Sequence, residues 1–356
     1  MIIIKNSGLA AQHASKSGKR HSTGVAGRCS PQGGEPAIEL IFFLLLGSGA
    51  YVGWNIGAND TANCIGTTVG CGLLSFRRAA MLVAVFVVLG ALLQGGHVMH
   101  TIGKGIVMAE LNLQAVFVAL ICSGIFVTLA TFLKIPTSTS QAIVGGLVGV
   151  GLAVHAKINY AKFITIAESW IICPLMVMVL AFLLSHLLTL VLRRRLAGNV
   201  LLQNAMGWMA ILSACYVAYS MGANHAGVSV GLLANLGLAD PMLLLIVGGG
   251  SIAVGAVTYG KKVTDTVGKG ITPLDITGAF VAQISSGFGI HLFSYFGIPI
   301  STSSAIVGAV VGVGLVKGAR SISRKTIWTI LIGWVLTPTL AALASFTIYR
   351  LLNLVF

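Results

Sequence analysis

Apolar stretches of about twenty residues or more recur along this chain, at 79–98, 112–133, 163–192, 241–259, 277–297 and 326–349, and a further run opens near Ala37 as AIELIFFLLLGSGAYVGWNI. Each is long enough to cross hydrocarbon as a helix. Only 8% of the residues are charged and 56% are apolar, so no soluble domain is left over and an all-α polytopic membrane protein in contact with the lipid bilayer is expected. The formal charge of +14 sits in short connections between spans, which reads as topology rather than as a nucleic-acid surface. Six cysteines without CxxC or His/Cys spacing read as small apolar packers, with neither a zinc site nor a disulfide framework. Residues 1–34 are polar and basic and read as a disordered tail or a misplaced start, with no cleaved signal peptide.

The chain also repeats itself. GAND at 57–60 returns as GANH at 222–225, and TIGKGI at 101–106 returns as TVGKGI at 266–271, both offset by 165. IPTSTSQAIVGGLVGVGL from Ile135 returns as IPISTSSAIVGAVVGVGL from Ile298, offset by 163, and WIICP at Trp170 returns as WVLTP at Trp334, offset by 164. Four matches in one order divide the chain into repeat 1 at 35–195 and repeat 2 at 196–356. Each half offers about five membrane segments, and an odd number turns the second copy upside down, with broken helices or re-entrant hairpins around a midplane site.

Loop charges predict which face is which. With the first span starting outside, the inside connections hold Arg77, Arg78, Lys134, Arg193, Arg194, Arg195, Lys261, Lys262, Lys269, Lys317, Arg320, Arg324 and Lys325. Lys104, Lys157, Lys162 and Arg350 fall outside, a split of thirteen to four, or thirteen to nine with the five basic residues of the tail. Both termini are therefore expected outside a cell membrane.

Residues 57–66 read GANDTANCIG, and a carboxylate at membrane depth is costly unless it faces a polar cavity or a partner, which makes Asp60 a functional candidate. Gly53, Gly57, Gly66, Gly70 and Gly72 are expected to break the helix there, exposing Asn59, Asp60 and Asn63 at the break. Asp60 and Asn63 supply hard oxygens suited to Na⁺. The second element is Pro136, Thr137, Ser138, Thr139, Ser140 and Gln141, with Pro299, Ile300, Ser301, Thr302, Ser303 and Ser304 in the other half. A proline followed by hydroxyl residues and a Gly-rich apolar stretch is a helix N-terminus, where unpaired N–H groups and hydroxyl donors converge. Two such ends facing each other across the midplane form a donor-rich cup for an oxyanion.

With these motifs, GANDTAN, GANHAGV, PTSTS, PISTS, WIICP and WVLTP, the chain resembles the inorganic phosphate transporter (PiT) family over about residues 40–350. The resemblance implies a symporter that binds phosphate between inverted halves, driven by Na⁺ or H⁺, with no cofactor and no enzymatic activity. It implies substrate contacts from Asn59, Thr137, Ser138, Thr139, Ser140, Gln141, Asn224, His225, Ser301, Thr302, Ser303 and Ser304, and coupling-cation contacts from Asp60, Asn63 and Asn224. The second copy departs from the family pattern: His225 replaces the acid, and Gly227 and Val228 replace Ala62 and Asn63. His225 is open between a neutral donor to the anion, a proton carrier and a tolerated polar residue.

Gln283, in mid-span, faces either a partner helix or the cavity; Glu168 reads as interfacial; Gln94, His97 and His100 read as headgroup contacts; and TIGKGI is a Gly-rich loop without nucleotide-binding spacing. A sulfate permease on the same fold is the alternative, an anion channel comes after it, and a homodimer is left open. HPO₄²⁻ can donate a hydrogen bond to Asp60 whereas SO₄²⁻ only accepts, which favours phosphate.

Overall fold

The computed structural model describes residues 35–132, 137–196, 199–261, 264, 274–318 and 324–355. The tail, Pro136, Lys134 and the TVGKGI copy lie outside them. Among the described residues ten α-helices appear: α1 (Glu35–Gly70), α2 (Phe76–His100), α3 (Leu113–Phe132), α4 (Thr139–Ala153), α5 (Tyr160–Leu196), α6 (Val200–Asn235), α7 (Pro241–Thr258), α8 (Ile276–Tyr295), α9 (Thr302–Lys317) and α10 (Arg324–Val355). TIGKGI is no loop: Thr101–Gly105 continues α2 as a π-helical turn. Several helix starts carry side-chain caps. Asn199 accepts from Leu202 N–H, Asp240 from Met242 and Leu243 N–H ahead of Pro241, and Asp275 from Gly278 N–H.

Glycines set the helix packing and reveal its direction. A Cβ on Gly57 would run into the Ile252 carbonyl, one on Gly255 into the Trp54 carbonyl, and one on Gly53 into Ser251 Oγ, so α1 and α7 cross with backbones almost touching. Matching contacts join Gly90 to Tyr219, Gly222 to Val87, Gly227 to Gly95 and Gly231 to Ile102. Residue numbers rise together in both pairs, so α1 runs parallel to α7 and α2 parallel to α6. Short turns make α1 antiparallel to α2, and α6 is therefore antiparallel to its own counterpart α1. The inverted repeat follows from the packing itself.

These contacts correct one expectation. Gly53 and Gly57 do not break α1, which is a continuous helix through Asp60, just as α6 is continuous through His225. They are the small residues that let membrane helices approach closely.

The breaks lie between α3 and α4 and between α8 and α9. Ser123 Oγ donates to the Ala142 carbonyl, and a Cβ on Gly146 would reach Ser123 Oγ and the Ala119 carbonyl, so α4 returns antiparallel to α3. A backbone bridge between Val107 and Ile158 joins the segment before α3 to the segment after α4. The α3–α4 unit is thus a re-entrant hairpin that enters and leaves by one face, and by the repeat α8–α9 is its inverted copy from the other face. Among the described residues eight helices are long and apolar enough to span. Packing nevertheless stops α3 at the level of Asn59 and α8 at that of Asn224, where Thr131 and Ser294 meet those asparagines. The five crossings per half become three crossings and a hairpin, an odd number still.

Each hairpin is held by the other half. Pro338 of α10 packs on Gly145 of α4, and Pro174 of α5 packs on Gly308 of α9. Trp170 Nε1 donates to the Pro299 carbonyl at 3.3 Å, which gives the first WxxxP motif a purpose: it pins the opposite hairpin.

Candidate functional site

Both hairpin tips arrive at one carboxylate. Asp60 Oδ2 accepts from Thr139 Oγ1 of the first hairpin at 3.1 Å, and Asp60 Oδ1 accepts from Ser303 Oγ of the second at 3.3 Å. Asn63 Nδ2 donates to Asp60 Oδ1 at 3.2 Å and to Ser303 Oγ at 2.9 Å, and His225 Nε2 lies 3.4 Å from Asp60 Oδ2. Ser140 Oγ lies 3.2 Å from His225 Nε2 and donates to the Ile300 carbonyl at 2.7 Å. Ser303 with Asp60 and Ser140 with His225 are the same contact in the two copies, so the pseudo-twofold axis passes through this cluster. Asp60 is 1% exposed and His225 0%. A charge so deep in a membrane protein needs these partners to be tolerated.

The N-termini of α4 and α9 are built as expected. Ser138 Oγ accepts from Gln141 N–H at 3.3 Å and Ser301 Oγ from Ser304 N–H at 3.1 Å. Each serine still has its own hydroxyl hydrogen to donate. Around them, among the described residues, Thr137 Oγ1, both amide atoms of Gln141 and Ser304 Oγ are buried without a hydrogen-bond partner. Such orphans cost about 1–3 kcal/mol each, and folded proteins leave few of them. Four on two facing helix ends form a set of donors and acceptors suited to a tetrahedral oxyanion.

Two named asparagines behave differently from Asp60 and Asn63. Asn59 donates to Thr131 Oγ1 at 3.2 Å on α3, outside the cluster. Asn224 donates to Ser294 Oγ at 2.9 Å and to the Ile298 carbonyl at 3.1 Å, and accepts from Ile300 N–H at 3.3 Å. It anchors the backbone that leads into α9, where non-helical groups at membrane depth must be satisfied by protein.

Gln283 faces partner helices: its Nε2 donates to the Cys64 carbonyl at 2.6 Å and its Oε1 accepts from Ser213, which ties α8 to α1 and α6 one turn beyond Asp60. Gln94 meets Tyr219 OH rather than headgroups alone, and Glu168 is exposed on α5. Sequence reasoning missed Trp170 as a hairpin pin; its recurrence as Trp334 was the available signal.

Two inverted halves that present re-entrant helix ends to a shared polar site follow a plan common among membrane transporters. The model of the phosphate transporter family matches residues 56–210 and again 199–345, and the chain belongs to that family. A protein of Methanocaldococcus jannaschii, named provisionally as a phosphate permease, is 30% identical over 88% of this chain and 99% of its own. The chloroplastic inorganic phosphate transporter 2-1 of Arabidopsis thaliana is 27% identical over 89% of this chain and 74% of its own. A solved structure described as the sodium-dependent phosphate transporter superposes with a TM-score of 0.81, at 28% identity, covering 89% of this chain and 100% of that one.

Proposed function

We propose that this chain is a symporter, not an enzyme, that imports inorganic phosphate across the cell membrane with Na⁺ or H⁺ as the driving ion, its termini outside. The observation that carries the reading is the double occupation of Asp60, whose two oxygens accept hydroxyls from the two opposed hairpin tips. In this arrangement the carboxylate is the anion held between two helix N-termini.

Coupling follows from competition for donors. A cation at Asp60 and Asn63 neutralises the carboxylate and weakens its hold on Thr139 and Ser303. Those hydroxyls then turn to the oxyanion, joined by Thr137, Ser138, Gln141, Ser301, Thr302 and Ser304. Phosphate and cation thus favour each other by direct electrostatics, and neither binds well alone. Na⁺ is the first candidate because the structural neighbour at TM-score 0.81 is named as sodium-dependent. His225 sits against Asp60 and Ser140 as a donor to this cluster.

The test is uptake of radiolabelled phosphate and sulfate into proteoliposomes, with and without a Na⁺ gradient and across a pH gradient. Ion-driven accumulation of phosphate is expected. Preferential accumulation of sulfate, or downhill flux with no ion dependence, would refute the reading.

A further inference from the structure

The repeated TIGKGI motif opens a second charged feature, on the face where α1 begins. The helix α2 runs antiparallel to α1 and returns to that face, where its π-helical turn buries Thr101, Ile102 and Gly103 and leaves Lys104 exposed. The segment that follows is strapped to the one that leads into α5. Met108 N–H donates to the Lys157 carbonyl at 2.9 Å and Asn159 N–H to the Ile106 carbonyl at 2.8 Å, around the bridge of Val107 with Ile158. Val107 and Ile158 are buried, so the alternation of an extended chain turns Met108 and Lys157 outward together, and both are exposed. Lys162, in the first turn of α5, lays its stem over Gly105, where an added Cβ would lie 3.9 Å from its Cε.

Outside the tail the sequence assigns four basic residues to this face, Lys104, Lys157, Lys162 and Arg350, and the strap draws the three lysines to one junction. Basic residues are depleted on the face away from the cytoplasm, so topology does not account for a cluster there. Among the described residues none of the three forms an ion pair, and the acid of the strap, Glu110, is exposed and lowers the local charge without cancelling it. Beside the lysines the large side chains of Met108, Leu152, Tyr160 and Ile164 are exposed, and Tyr160 and Ile164 share one face of α5. Lys104 and Lys162 stand at the ends of spans that stop at Gly105 and start at Tyr160, the depth at which headgroups lie. A soluble oxyanion has a use for the lysines but none for the apolar skirt. A phospholipid uses both, its phosphate on the ammonium groups and its chains along the apolar side chains.

We propose that Lys104, Lys157 and Lys162 form a headgroup site for an anionic phospholipid, seated at the root of the first hairpin. The site lies apart from the Asp60 cluster and requires only that the chain sits in a bilayer, not that it transports phosphate.

Met108→Cys, in a chain stripped of its six native cysteines and labelled with bimane, reports on this spot in phosphatidylcholine vesicles that carry a small share of nitroxide-labelled phosphatidylglycerol or nitroxide-labelled phosphatidylcholine. A lysine beside an anionic lipid favours it by about fivefold, so half-quenching should come at about a fifth of the share, or less, with phosphatidylglycerol. Lys104→Gln, Lys157→Gln and Lys162→Gln together should abolish that preference, and the three Lys→Arg changes should keep it. The single Lys→Gln variants, each expected to lower the preference, serve should the triple variant fail to fold. Equal quenching by the two lipids, a preference that survives Lys→Gln, or one lost in Lys→Arg would overturn the site. Inorganic phosphate added at constant ionic strength should leave the preference intact; its loss there would give the lysines to a free oxyanion and overturn the lipid assignment.

Discussion

Asp60 is the residue on which the coupling argument turns, because one carboxylate holds donors from both hairpins. Asp60→Asn keeps its size and removes its charge. Gradient-driven accumulation should vanish while folded protein is still recovered; retained accumulation with unchanged ion dependence would make Asp60 a cap only. Gln141 and its counterpart Ser304 make a sharper test, since both are buried and carry polar atoms with no partner among the described residues. Removing an unpaired buried polar group relieves a cost of about 1–3 kcal/mol in the empty protein, whereas losing a donor to a charged ligand weakens binding by about 1.5–3 kcal/mol. Gln141→Met and Ser304→Ala should therefore raise the melting temperature without ligand and weaken phosphate binding about tenfold or more by calorimetry. The double variant should be non-additive, because both groups serve one ligand. A drop in stability with unaltered affinity would identify them as structural.

Among the elements, the helix pairs α2–α6 and α1–α7 depend on bare backbone at their crossings. A Cβ on Gly222 would meet the Val87 carbonyl, and backbone cannot turn aside as a side-chain end can. Gly222→Ala should cost about 1–3 kcal/mol as overpacking and lower the melting temperature. Gly47→Ala, with nothing within 4 Å of the added carbon, should not. These glycines also mark the limit of what the sequence revealed. Glycine beside Asp60 signals either a broken helix or a close approach, and the partner that decides between them, Ile252, lies nearly two hundred residues away. The hairpin tips were legible because proline and a run of hydroxyls have one local meaning, a helix start, whatever packs against it. Re-entrant hairpins were among the expectations, but that α3 is an arm that turns back was not legible, since a twenty-residue apolar stretch reads the same whether it crosses the membrane or stops at a site inside it. Asn59 neighbours Asp60 in sequence, yet on a helix adjacent residues point about 100° apart, and its amide donates to Thr131, a partner the sequence did not reveal.

At the scale of the whole molecule, inversion makes the two faces chemically equivalent in fold, so only the connections can tell them apart. Packing puts the α1–α2, α5–α6, α7–α8 and α9–α10 connections on one face, because α1, α5 and α7 run towards it and α9 runs parallel to α5. Those connections hold nearly all the basic residues that the sequence assigns inside; Lys134 alone falls between the arms of a hairpin, outside the described residues. The start of α1 and the end of α10 share the other face, since α10 runs parallel to α4 through Pro338 on Gly145 and Ala342 on Gly149. Replacing five crossings by three and a hairpin thus leaves the charge argument intact, because both counts return the chain to the same side. Single cysteines at 193, near the end of α5, and at 354, near the end of α10, should label from opposite faces, with 193 reached only from the cytoplasm. Labelling of both from one face would contradict the parallel packing of α4 on α10. Opposite labelling with 354 on the cytoplasmic side would keep the fold and reverse its insertion, which the loop charges argue against.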